Sequence, residues 1–151
     1  NTGSPKRMKN ILEGVIESRT QVRFLMHPRT RNALVNASLM DRIDKAKNID
    51  VSGPASFVEF VKLLAGASRV VTDSGGVRRE AYVFKKPVIN ISELIWVPEM
   101  VEAGWSISVR DDKEKIRDKI INFQPPKEYP SIFGDGKAAD IIARELLKRY
   151  G

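Results

Sequence analysis

The chain has 151 residues, 42% hydrophobic and 30% charged, with a formal net charge of +7 and a pI near 9.8. That length suits one domain with a real core, and the mixture is globular rather than disordered. No apolar run approaches the ~20 residues of a bilayer-spanning helix, no apolar leader follows the polar start, and the absence of cysteine excludes a disulfide scaffold and thiol chemistry. The expected compartment is the cytoplasm, with no membrane partner.

Taken in chain order, Ser4-Pro5 reads as a helix start, with Ser as N-cap and Pro at the first helical position. Met8, Leu12, Val15 and Ile16 then repeat at helical spacing. Residues 22–26 (VRFLM) form a short strand ended by His27-Pro28, and a helix is predicted over 29–37. Residues 48–52 (NIDVS) are a weak strand broken by Gly53-Pro54. Phe57, Phe60, Val61 and Leu64 mark the next helix. Residues 69–72 (RVVT) are a strand, and 76–84 a helix. Residues 87–91 (PVINI) are a strand whose proline stands first, where a missing N–H is tolerated. A short helix over 98–103, a strand over 105–109, and helices over 112–122 and 136–149 complete the order. Residues 124–133 are proline-rich and irregular.

Short strands alternating with helices predict an α/β fold: a Rossmann-like three-layer sandwich with a mostly parallel sheet. Right-handed crossovers bring the strand-to-helix turns to one edge of that sheet, where such folds bind ligands. Three turns meet there: His27-Pro28-Arg29-Thr30-Arg31, Gly53-Pro54-Ala55-Ser56 and Thr72-Asp73-Ser74-Gly75-Gly76.

The third turn carries the strongest chemistry. Ser74, Gly75 and Gly76 offer bare amides, a hydroxyl and the positive end of a helix, which together suit an anion such as a diphosphate. Glu80, four residues beyond Gly76, is placed to accept from ribose hydroxyls. The same residues also read as a plain N-cap followed by a tight glycine turn. His27, the sole histidine, ends a strand on this edge and reads equally as a phosphate donor or a capping residue. Arg29 and Arg31 read as an outer helix face more readily than as a phosphate clamp. Metal ligation is not expected without a second His or Cys or a spaced acidic cluster, and no Gly-x-Ser-x-Gly elbow marks a hydrolase. The basic residues are scattered, without the aromatic interleaving of single-strand binders, so no nucleic-acid partner is expected.

Four segments, FLMHPRTR, VVTDSGGVRREAYVFKKPVIN, PEMVEAGW and FGDGKAADIIARELL, stand in an order and spacing that resemble the C-terminal half of the non-hydrolysing UDP-N-acetylglucosamine 2-epimerases. The resemblance covers almost the whole chain. It implies one half of a GT-B architecture, with residues 1–151 as a single UDP-binding Rossmann-like domain that lacks its own first strand. It implies His27 beside the nucleotide, Ser74 and Gly76 on the diphosphate and Glu80 on the ribose, with no cofactor. The implied reaction interconverts UDP-GlcNAc and UDP-ManNAc by elimination of UDP and its return to a glycal-like intermediate. No catalytic residue is expected in this chain. The family's carboxylates lie in its N-terminal half, and a His-Arg-x-Glu segment is expected upstream of Asn1. The chain alone is therefore expected to bind without catalysing, and the full-length enzyme to be a homodimer.

One stretch departs from the family pattern. Where an R-x-x-T-E-R-P-E variant is usual, residues 92–99 read SELIWVPE, which removes positive charge near the diphosphate and opens the question of which UDP-sugar is bound. The other readings are the donor half of a GT-B glycosyltransferase and a non-catalytic basic α/β module.

Overall fold

The computed structural model describes residues 3–94 and 97–151; Ile95 and Trp96, in the departing stretch, lie outside that set. Helix α1 (Pro5–Glu17) opens on Ser4, whose hydroxyl accepts from the Arg7 amide, with Pro5 first in the helix. Strand β1 (Val22–Leu25), helix α2 (Pro28–Asn36), a five-residue helix α3 (Met40–Asp44) and strand β2 (Ile49–Ser52) follow. Then come α4 (Phe57–Gly66), β3 (Val70–Thr72), α5 (Gly75–Val83), β4 (Val88–Asn90), α6 (Pro98–Glu102) and β5 (Ser106–Ser108). Helices α7 (Lys113–Asn122) and α8 (Ala138–Tyr150) close the chain. Every predicted helix and strand is present within two residues of its expected ends, and α3 is the addition.

All pairings are parallel, but they form two sheets. β1 pairs with β2, β3 pairs with β4 and β4 with β5, and no ladder joins β1 to β3 among the described residues. The alternation of ladder bonds locates the open edges. Val22 and Met26 donate to Asn48 and Ser52, so Arg23 and Leu25 turn their main-chain groups away from β2. Val70 donates to Pro87 and Thr72 accepts from Ile91, so Val71 turns its groups away from β4.

Three clusters build the core. On β4, Val88 and Ile89 point to opposite faces and both are fully buried. Val88 packs with Leu64, Ala81, Tyr82, Met100 and Trp105 beneath α4, α5 and α6. Ile89 packs with Val109, Ile116 and Ile120 beneath α7, and Ile11 and Val15 of α1 join it. Met8 and Leu12, also on α1, belong instead to the cluster of Met26, Leu34, Leu39 and Ile43 over the two-stranded sheet. Helix α1 therefore bridges the two sheets on one face. Gly14 permits that seat, because a Cβ there would lie 2.8 Å from Ile116 Cβ and from the Lys113 carbonyl.

The proline-rich segment is not a loose tether. Trp105 Nε1 donates to the Glu128 carbonyl at 2.8 Å and Tyr129 Oη to the Tyr82 carbonyl at 2.8 Å. Tyr82 Oη in turn donates to the Pro130 carbonyl, and Tyr82, Trp105, Tyr129 and Phe133 form one aromatic cluster. Helix α8 is different. None of its residues is buried, and Ile141, Ile142, Leu146 and Leu147 stand 53–70% exposed. No helix among the described residues is long and apolar enough to cross a membrane.

Candidate functional site

Strand β3 delivers the Thr72–Gly76 turn to the carboxyl edge of its sheet. Ser74 caps α5: its hydroxyl accepts from the Val77 amide at 3.4 Å, and its own amide donates to Thr72 Oγ1 at 3.1 Å. The capping role weighed from the sequence is thus real, but it uses only the acceptor side of the hydroxyl. Its proton has no acceptor among the described residues. Gly75 and Gly76 are the first two residues of the helix, so their amides have no partner four residues back.

The tight-turn explanation of the glycines does not hold. Positive φ among the glycines occurs at Gly104, Gly134 and Gly136, and Gly75 and Gly76 are not among them. A Cβ added at Gly76 would meet nothing nearer than Ser74 Oγ at 3.9 Å. Neither backbone strain nor crowding within the chain calls for glycine at that position, although glycine weakens a helix by about 0.5–1 kcal/mol relative to alanine. What it leaves is open space over bare N–H groups.

The other turns show what a self-contained helix start looks like. Ser56 caps α4 in a complete capping box, where Glu59 accepts from the Ser56 amide at 2.9 Å and from its hydroxyl at 2.7 Å. The Ser56 hydroxyl, and then its amide, hold the Glu59 carboxyl below its ordinary value. Helix α4 therefore carries its own anion at its positive end. The first turn of α5 contains no acidic residue, so no capping box of that kind closes it.

His27 caps α2, its Nδ1 accepting from the Arg29 amide at 3.2 Å. That bond leaves Nε2 as the N–H donor on an exposed side chain. Of the two roles considered from the sequence, the capping one is present in the fold. It lies at the end of β1, in the two-stranded sheet, and no described bond joins it to Ser74. Glu80 sits half-buried on α5, one turn beyond Gly76. Arg29 and Arg31 are exposed on α2. Arg29 lines a cleft of about 330 Å³ between α1 and α2 that contains none of Ser74, Gly75, Gly76 and Glu80. Among the described residues no group of three His, Cys, Asp or Glu is arranged to hold a metal ion.

A second cleft, about 180 Å³, borders the Ser74 turn and is lined by Arg7, Asp73, Ser92, Glu93 and Leu94. Arg7 lines it and Arg78 is bonded to two of its lining residues, and the sequence reading gave neither arginine a role at the site. Arg7 pairs with Glu93 and reaches Asp111 at 4.0 Å. Arg78 is only 2% exposed; it donates from Nη2 to the Asp73 carbonyl at 3.0 Å and from Nη1 to the Leu94 carbonyl at 3.4 Å. The available signal was Arg78-Arg79 close to a helix N-terminus, where the dipole opposes positive charge.

The family model for UDP-N-acetylglucosamine 2-epimerase matches residues 1–147. A UDP-N-acetylglucosamine 2-epimerase homolog from Methanococcus maripaludis is 37% identical over 97% of this chain and 41% of its own. The crystal structure of the Methanocaldococcus jannaschii UDP-GlcNAc 2-epimerase in complex with UDP-GlcNAc and UDP superposes with a TM-score of 0.89 and 35% identity, over 98% of this chain and 42% of that one. A UDP-2,3-diacetamido-2,3-dideoxy-D-glucuronate 2-epimerase from Pseudomonas aeruginosa is 28% identical over 98% of this chain and 42% of its own. The chain thus spans about two fifths of the length of the relatives it matches.

Proposed function

Since the chain belongs to the UDP-N-acetylglucosamine 2-epimerase family, we propose that it is the UDP-binding part of an enzyme that interconverts UDP-GlcNAc and UDP-ManNAc. In this reading the Gly75 and Gly76 amides and the Ser74 hydroxyl hold the pyrophosphate. His27 Nε2–H donates to the nucleotide, and Glu80 accepts from the ribose. The observation that carries it is the uncrowded Gly76 at the start of a helix whose first turn holds no acidic residue.

The arrangement suits a reaction in which UDP leaves and returns. As a base takes the C2 proton, the C1–oxygen bond breaks and its electrons pass to the β-phosphate oxygen, while C1 and C2 become doubly bonded. The departing UDP carries one more negative charge than it did as an ester. Fixed amides at a helix end stabilise that added charge without reorganising, and they keep UDP in place for the return. The acid–base residues are assigned to the rest of the protein, so this chain alone binds without turning over.

The open edges of β1 and β3 are read as the two sides of a slot for one parallel strand supplied by that remainder, completing the sheet that α1 already spans. The cytoplasm and a homodimeric whole enzyme are assigned from the family resemblance, and light scattering on the intact protein checks the second. Calorimetry with UDP and NMR of the C2 configuration of UDP-GlcNAc, both on the intact protein, test the function. Saturable UDP binding with appearance of the C2 epimer is expected. Transfer of the sugar to an added acceptor without epimer would replace the epimerase reading with a transferase.

A further inference from the structure

Arg78 has no place in the roles assigned above, yet it is the most deeply buried cationic residue named at this edge. Its guanidinium donates to two main-chain carbonyls, Asp73 on the turn and Leu94 on the loop after β4. Its Nε is buried and has no hydrogen-bond partner among the described residues. It is the fourth residue of α5, where the helix field disfavours a cation and no acidic residue of the first turn offsets it. Burial works against its charge, while the Asp73 carboxylate favours it. A guanidinium stays protonated in such a place, so the fold bears the cost of a buried charge at the wrong end of a helix. That arrangement is balanced once an anion sits on the adjoining amides.

We propose that Arg78 is a positioning residue for the pyrophosphate: it ties the Asp73 carbonyl to residue 94, fixes the Gly75 and Gly76 amides, and supplies buried positive charge behind them. The inference rests on the UDP-binding reading and adds to it the source of charge. That source replaces charge which residues 92–97 lack, since they contain no Arg or Lys. Because Nε is enclosed and both Nη atoms are engaged, Arg78 acts through the turn and its field rather than by touching the ligand.

The test compares uridine, UMP and UDP by calorimetry on the intact protein and on its Arg78→Gln and Arg78→Lys variants. Arg78→Gln, which can still serve one carbonyl but carries no charge, is expected to weaken UDP about tenfold, as one charge within ~10 Å does at an effective permittivity near 20. UMP should lose less, and uridine nothing. Arg78→Lys keeps the charge and should retain most of the UDP-over-uridine preference. Equal losses for all three ligands, or an unchanged UDP affinity, would overturn the proposal while leaving UDP binding intact. If Arg78→Gln does not fold, Arg78→Lys decides: a preference that collapses despite the retained charge rejects the inference. Failure of the unaltered protein to bind UDP would instead remove the functional reading beneath it.

Discussion

Replacing Gly76 with alanine separates ligand binding from stability, because the two should move in opposite directions. A Cβ at this position meets only Ser74 Oγ, at 3.9 Å, so no clash is introduced within the chain. The backbone is helical there, and alanine favours a helix over glycine by roughly 0.5–1 kcal/mol, less so in a first turn. Unfolding free energy should therefore hold or rise slightly. A helical Cβ tilts toward the N-terminus, which is the side from which an anion approaches these amides. The methyl group would push the pyrophosphate off at least one charge-assisted hydrogen bond, worth about 1.5–3 kcal/mol. That corresponds to a Kd for UDP raised about 10- to 150-fold. Calorimetric titration and denaturant unfolding on the same intact variant read both quantities. An unchanged Kd would place the anion elsewhere, and a large loss of stability would show that the fold, not the ligand, needs this glycine. The single change is cleaner than one combined with Ser74→Ala, which removes an N-cap and costs about 1 kcal/mol by itself.

The Gly14→Ala variant should do the reverse: with Ile116 and the Lys113 carbonyl 2.8 Å from the new Cβ, overpacking is expected to cost about 1–3 kcal/mol in denaturant unfolding, with UDP affinity little altered. Burial, with Tyr129 a lesser contributor, raises the Tyr82 hydroxyl above its ordinary value, and burial does the same for Tyr129. A raised pKa favours the neutral form in the fold, so the contribution is complete below the unfolded tyrosine value of about 10 and is lost as pH climbs through the folded values. Stability should decline at alkaline pH, and Tyr82→Phe should flatten that decline while lowering stability at neutral pH; a profile identical to that of the unaltered protein would discount the bond from the Tyr82 hydroxyl to the Pro130 carbonyl. By hydrogen exchange, the amides of Arg23, Leu25 and Val71 should be protected in the intact protein and fast in residues 1–151 alone. Protection in the short chain would mean that the two sheets close on each other.

The sequence by itself determined the order of every element but α3 and the parallel α/β class, and it singled out one turn as the candidate for an anion. These follow from local causes: Met8 and Leu12 at helical spacing, Ser4-Pro5 as a helix start, and Ser74-Gly75-Gly76 between an apolar strand and a helix. Helix α3 escaped notice because five residues are too few to display a period, and its one buried residue, Ile43, gains its place from packing against α1 and α2. The meaning of Gly75-Gly76 was likewise undecided in the sequence, since a strained turn and an open approach use the same two letters. Only coordinates supply the helical backbone of both glycines and the empty space beside Gly76 that separate the two. Arg78 is the sharpest case. A charged residue on a helix is ordinarily read as solvated, and its burial depends on Asp73 and Leu94 being brought to it from two different connections. The split of the sheet also belongs to tertiary structure: strand propensity is set residue by residue, whereas an edge is defined only by the neighbour that does or does not lie beside it.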